Sequence, residues 1–368
     1  MFEVLSKVKG LLKIDQVCID NNVFRLHYKA TMILLVVFSV LITCKQFVGD
    51  PIDCTSGNDK IPQNVMDTYC WVLSTFTMPN LTGTIGKNIV YPGVGIGRSN
   101  EGVKYHKYYQ WVCFMLFFQG ILFYIPRYLW KIWEGGRIKM LMQDLNCPIT
   151  SDAEKTEKNY QSLVSYLTEN TGVQNFYAYR FFLCEILNFI NVIGQIYLID
   201  LFLDGEFRSY GMDVIKFAEM ESYDRIDPMS RIFPKITKCS FHMFGSSGTI
   251  EKIDGLCVLP LNVINEKIYI FIWFWFIILG ILSGLSLIYR IAVIMGPRQF
   301  RAKLLSACSR LSLSHHIYII TREFEIGDWF IFYQLSKNID SHKYRQLIAD
   351  VAKKLNDRND YKSDHLTA

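Results

Sequence analysis

The chain has 368 residues, of which 51% are hydrophobic, 15% aromatic and only 20% charged, with a formal net charge of +5. Length alone suggests two or three soluble domains, but the apolar residues gather into four blocks instead of spreading at one period. That clustering argues against a soluble globule, which would have to bury all four blocks in one core.

In chain order, residues 1–13 (MFEVLSKVKGLLK) set Phe2, Leu5, Val8 and Leu12 at helical spacing among Lys7, Lys9 and Lys13, which predicts an amphipathic helix. No cleavable signal peptide is expected, because apolar density rises only after Ala30. The first block, 30–48, is broken by Lys45; the second, 108–126 (YYQWVCFMLFFQGILFYIP), carries no charge. The third, 181–203, contains Glu185 and Asp200, and the fourth, 268–289 (IYIFIWFWFIILGILSGLSLIY), is again uncharged. A bilayer core takes about 20 apolar residues of helix, so the expected architecture is an all-α, four-span membrane protein. Its parts are an N-terminal segment 1–29, spans at 30–48, 108–126, 181–203 and 268–289, outer loops 49–107 and 204–267, an inner loop 127–180 and an inner tail 290–368. Within fifteen residues of the span ends, the inner segments hold 11 Lys and Arg against 7 for the outer loops, a modest bias towards an inside N-terminus.

At the head of the second block, Tyr108, Tyr109 and Trp111 suit the headgroup level, with Gln110 in water. Pro126 is expected to end or kink that helix. An ionisable side chain at a helix centre in the membrane costs about 3 kcal/mol or more, so Glu185 hints at a wet interior. Lys45 and Asp200 lie nearer the outer ends, where snorkelling is open to them.

In the first outer loop, 62–76 (PQNVMDTYCWVLSTF) predicts a short helix and YPGVGIGRSNEG a loop rather than a phosphate cradle. Asn80-Leu81-Thr82 is a sequon and permits glycosylation at Asn80. In the second outer loop, 235–258 alternates on both sides of Gly245-Ser246-Ser247-Gly248 and predicts a β-hairpin. On the inner side, 152–169 (with Asp152 as cap) and 340–355 carry one-sided apolar faces and predict a helical layer. The last dozen residues are expected to lack order.

Of ten cysteines, Cys54 and Cys70 fall in the first outer loop and Cys239 and Cys257 in the second. Cys44, Cys113 and Cys184 lie inside the blocks, and Cys18, Cys147 and Cys308 are single on the inner side. Paired outside and single inside is the pattern that an oxidising exterior and a reducing cytosol leave, and disulfides are favoured over a zinc site from Cys239, His242 and Cys257. Four cysteines allow three pairings, and the residues alone leave them open. No nucleophile elbow, Walker motif or zinc-protease motif occurs, and His315-His316 has no carboxylate at a motif spacing. Neither enzymatic activity nor a cofactor, metal or nucleic-acid partner is expected.

Tyr108-Tyr109-Gln110-Trp111-Val112, Pro126 in the same block, two cysteines in each outer loop and NEKIYIFIWFWFIIL at 265–279 together resemble the innexins, the gap-junction channel proteins of invertebrates. KGLLKIDQVCIDNNVFRLHYKA and RIDPMSRIFPKITKC are most similar to insect members, and the likeness fades only after about residue 300. The resemblance implies a ring of subunits, eight in family members of known structure. It implies hemichannels that dock between adjoining cells through the outer loops, and termini in the cytosol. It also implies the pairs Cys54–Cys257 and Cys70–Cys239, an N-terminal helix in the pore mouth, and Phe2, Lys45, Asp50 and Asp53 along the pore, where rings of charge set ion preference. An undocked hemichannel and a non-conducting four-span adhesion or scaffold protein are the alternative readings.

Overall fold

The structure is a computed structural model and describes residues 17–57, 61–79, 81, 89–95, 102–142, 153–219, 227–309 and 312–366. In chain order it contains α1 (Asn22–Val48), β1 (Asp53–Ser56), α2 (Gln63–Leu73), β2 (Thr75–Thr77), β3 (Ile89–Tyr91), β4 (Val94–Gly95) and β5 (Lys104–His106). A 3-10 turn at Tyr108–Gln110 leads into α3 (Val112–Glu134), α4 (Arg137–Leu141), α5 (Ala153–Glu169) and α6 (Asn175–Phe202). Next come α7 (Phe207–Glu219), α8 (Pro228–Ile232), β6 (Ile236–Phe244), β7 (Ile250–Val258) and α9 (Pro260–Met295). The chain closes with α10 (Arg298–Cys308), α11 (Ser314–Glu323), α12 (Ile326–Ser336) and α13 (Ser341–Leu366).

Helices α1, α3, α6 and α9 are each long and apolar enough to cross a membrane. With 36 residues α9 is about 54 Å long, well beyond a hydrocarbon core of about 30 Å. Pro126 neither starts nor stops a helix, since α3 continues through it to Glu134. Hence Arg127 and Lys131 are helical residues.

The chain divides into two compact units. A helical unit takes residues 1–30, 123–190 and 281–368, and a sheet unit takes 31–122 and 191–280. The helical unit has a large aromatic core. Trp130 meets Phe181 edge-on at 4.9 Å and Tyr177 at 5.1 Å, and Phe330 lies 5.0 Å from Phe181. Helix α12 (IGDWFIFYQLS) is apolar nearly all round, and a helix of that kind is a buried one. Gly327 is needed there, because a Cβ would sit 2.2 Å from the Gln174 backbone. Helix α13 turns Tyr344, Leu347, Ile348, Val351 and Leu355 inward, and Tyr160 of α5 donates to Asp350 at 2.5 Å. The chain end does not follow the expectation of disorder: α13 runs on to Leu366, because its inward face keeps the 3.6 period through Leu355 and leaves a helix with no breaker beyond it.

The sheet unit is built on five antiparallel strands in the order β1-β7-β6-β2-β5. The β6–β7 hairpin is in register from Ile236↔Val258 to Phe244↔Ile250, with Gly248 at φ +80° in its turn. Helix α2 lies on the sheet where β7 carries Gly255, a position at which a Cβ would meet the Met66 methyl at 2.1 Å. Within YPGVGIGRSNEG, Pro92-Gly93 form the turn between β3 and β4, so that stretch is partly a small hairpin.

Candidate functional site: the disulfide-bonded sheet and the start of the first long helix

In the sheet unit, Cys54 on β1 faces Cys257 on β7 in register, and the two are bonded. Cys70 on α2 is bonded to Cys239 on β6. This is the pairing that the family resemblance implies, and it occupies the thiols of the zinc alternative. The bridges are adjacent, with the Cys54, Cys70 and Cys257 sulfurs within 4.8 Å of one another. Ile52, Met66, Tyr109 and Leu259 complete the buried cluster around them. Each bridge closes a long stretch, 203 and 169 residues, and so fixes the first loop to the second. In the chain-entropy account, longer closures of this kind stabilise more.

The YYQW motif serves this cluster rather than the headgroup level. Tyr109 is fully buried with its ring tilted against Trp71 at 4.7 Å, Tyr108 packs against Phe233 at 5.7 Å, and the Gln110 amide donates to the Trp71 carbonyl. Only Trp111 stays exposed. The cause is the 3-10 turn before α3, which holds the tyrosines in the sheet unit, where the bridges offer an apolar seat. His106, buried on β5 with Nε2 2.8 Å from Thr77 Oγ1, is pushed down to about 4 by burial, with a smaller push from Lys104.

The charged candidates at the head of the first loop are spread over its surface. Lys45 is half-buried at the end of α1, Asp50 is exposed, and Asp53 accepts from Gln63 Nε2 at 2.6 Å. Asp67 on α2 accepts the Cys54 N–H at 2.6 Å. Burial raises the Asp67 carboxyl above its ordinary value; the Cys54 N–H opposes that, and Asp53 and Asp50 add to it. Three carboxylates thus set a negative field beside the first bridge. Asp200, expected to snorkel, is instead buried and paired with Arg208 at 2.7 Å, so its charge is met by protein. Phe2 and the helix of residues 1–13, Asn80, Cys147 and the Asp152 cap lie outside the described residues.

In the helical unit each residue from Cys18 to Asn21, just before α1, is tied by a hydrogen bond or ion pair. Cys18 N donates to Asn338 Oδ1 at 2.6 Å, and Asn338 Nδ2 returns a bond to Cys18 O at 2.7 Å. Trp130 Nε1 donates to Ile19 O at 3.0 Å. Asp20, 2% exposed, pairs with Arg25 at 2.9 Å and Arg127 at 3.1 Å and accepts from Tyr28 at 2.9 Å. Asn21 caps α1, its side chain accepting the Phe24 N–H at 2.6 Å. Asp20 and Asn21 were not singled out from the sequence. The readable signal was Asp-Asn directly ahead of an apolar helix, a capping pattern.

Four membrane-length helices, two of whose connecting loops share one disulfide-bonded sheet, define a multi-pass membrane protein with cross-linked loops. The innexin family model matches residues 20–355, and the chain belongs to the innexins, the gap-junction channel proteins. It is 61% identical to innexin inx2 of Schistocerca americana over 96% of this chain and 98% of that protein. It is equally identical to innexin inx2 of Drosophila melanogaster, with 96% of each chain covered, and 49% identical to innexin shaking-B of the same fly over 96% of this chain and 95% of that one. It is therefore a membrane channel subunit, of a channel family rather than an enzyme family, that works as an oligomer in gap junctions.

Proposed function

We propose that eight copies of this chain form a hemichannel with both termini in the cytosol, and that two hemichannels on adjoining cells dock through their sheet units into one pore for ions and small hydrophilic molecules. On this reading 1–29, 127–180 and 290–368 are cytosolic, 49–107 and 204–267 are extracellular, and 30–48, 108–126, 181–203 and 268–289 cross the membrane. The observation that carries it is the pair of loop-to-loop disulfides, which belong in an oxidising compartment and therefore outside the cell.

The β6–β7 hairpin is the docking element. Phe244 and Ile250 are paired across its tip and are 75% and 68% exposed, an apolar end on an otherwise polar turn. Lys45, Asp50 and Asp53 set the field along the pore, each multiplied by the subunit count. Phe2 is a pore-mouth residue on this reading, and Asn80 a glycosylation acceptor.

Paired cells that each express only this chain test the reading. A junctional current absent from control pairs is expected. Protein at both surfaces without current would contradict a channel made of this chain alone.

A further inference from the structure

Several arginines of the helical unit meet an acceptor. Arg290 of α9 holds Glu185 of α6 with two bonds, Nε to Oε2 at 2.6 Å and Nη2 to Oε1 at 3.1 Å, so the carboxylate in the third apolar block is met by protein and not by water. Arg127 pairs with Asp20, and Arg137 donates to Gln174 Oε1 at 2.8 Å. Arg301, half-buried on α10, meets no acceptor among the described residues, and its Nε is shut away from solvent without a partner. Arg298 precedes it by three residues, so the two guanidinium groups share one face of the helix. Arg298 too has no carboxylate beside it among the described residues. Like charges at this spacing repel. Burial, and after it the Arg298 charge, push the Arg301 guanidinium below its ordinary value. An anion between them would relieve both.

The pair is held in place by its surroundings. Gly296 allows the sharp exit from α9, since a Cβ there would sit 2.2 Å from the Ala292 carbonyl oxygen. Trp329 Nε1 of α12 donates to Arg301 O at 3.1 Å and ties the first turn of α10 to the core. No side chain caps that turn at Pro297, so the positive end of the helix dipole falls at the same point.

What lies beside the pair is apolar. Ile288, Ile291 and Met295 follow one another at helical spacing on α9 and are all exposed. From Tyr289, where the fourth uncharged block ends, to Met295 is about 9 Å of helix, close to the ~5–8 Å depth of one leaflet's polar layer. An apolar face that ends at two unmatched cations has the chemistry of acyl chains followed by a phosphate.

We propose that Arg298 and Arg301 bind the phosphate of an anionic phospholipid whose acyl chains lie along the exposed face of α9. On the reading above the leaflet is the cytosolic one. Guanidinium groups take phosphate oxygens two at a time, and basic residues at the cytosolic end of a span recognise acidic head groups. Phosphatidylcholine carries its own cation, so the site favours phosphatidylserine over it.

The test offers equal amounts of phosphatidylserine and phosphatidylcholine to the full-length chain in detergent micelles, and native mass spectrometry reads the lipid retained per subunit. Micelles have no sides, so the result depends neither on orientation nor on conduction, and a failed channel reading would leave it untouched. The variants are Arg298→Glu and Arg301→Gln. Glutamate in a first turn suits the helix dipole, so Arg298→Glu keeps α10 while reversing the charge. The wild type is expected to retain phosphatidylserine in preference, and Arg298→Glu to bind it about tenfold more weakly, equivalent to ~1.4 kcal/mol, with a smaller loss in Arg301→Gln. Equal retention of the two lipids by the wild type would overturn the proposal, and so would undiminished phosphatidylserine retention in Arg298→Glu. Inorganic phosphate at the same concentration is expected to displace no lipid; full displacement would mean a free-anion site and overturn the lipid assignment.

Discussion

The two units solve the same problem, holding distant segments together, by different chemistry. In the sheet unit two of the long-range ties are covalent, beside ion pairs such as Lys104–Glu206 and Arg231–Glu206. Four of the buried members of its disulfide cluster are the cysteines themselves, and the rest is a small group around Tyr109 and Met66. In the helical unit the ties are bonds and rings: Asn338 on Cys18, Trp130 on Ile19, Arg290 on Glu185, Tyr160 on Asp350. Its core is several times larger and rich in aromatics. Cys18, Cys184 and Cys308, in that unit, are unpaired. The small cluster between the loops is where staples add most. Covalent ties would also hold the proposed docking surface in one shape, whereas exchangeable bonds leave the helical unit able to move.

Breaking a staple should therefore do the most damage. Cys70→Ser is expected to abolish junctional coupling while membrane insertion is retained, since loss of a native disulfide costs about 2–5 kcal/mol and the four long helices do not depend on it. Recordings from paired cells alongside surface biotinylation check this, and normal coupling in the variant would remove the disulfides from the account.

A smaller effect sharpens the contrast through pH. His106 takes up a proton near 6.5 in the unfolded chain but only near 4 in the folded sheet unit. Between those values the unfolded form binds more protons, so stability is full above pH 6.5 and falls as pH drops towards 4. The whole swing is ~3 kcal/mol. Thermal melts of the purified chain across that range should show it, and His106→Gln should flatten the profile. A pH-independent melting point in the wild type would mean that His106 is not held neutral in the folded state.

The four apolar blocks, the hairpin and the helix after Pro62 were legible because each is long enough to show its period. Their ends were not. Helix α1 begins at Asn22 and α6 at Asn175, ahead of the apolar blocks, because caps and core packing extend them where hydropathy has already fallen. Strands β2 and β5 have three residues each, too few for alternation to register; β2 exists because β6 offers an edge to pair with, and β5 because β2 does. Tyr108 and Tyr109 have the composition of a headgroup belt and the place of a core, a distinction that only the neighbouring bridges decide. Glu185 stood out as a charge in an apolar block, but its partner did not, since Arg290 lies just past the end of another block and reads as an ordinary flanking cation.

The central claim is that sheet units from opposed cells meet through the hairpin tip. The most direct measurement is the junctional current between a cell expressing the wild-type chain and a cell expressing the double variant Phe244→Asp, Ile250→Asp. The account expects wild-type pairs to conduct and mixed pairs to be silent, with the variant still giving undocked hemichannel current in its own cell. A mixed pair that conducts like the wild type would contradict docking through the hairpin.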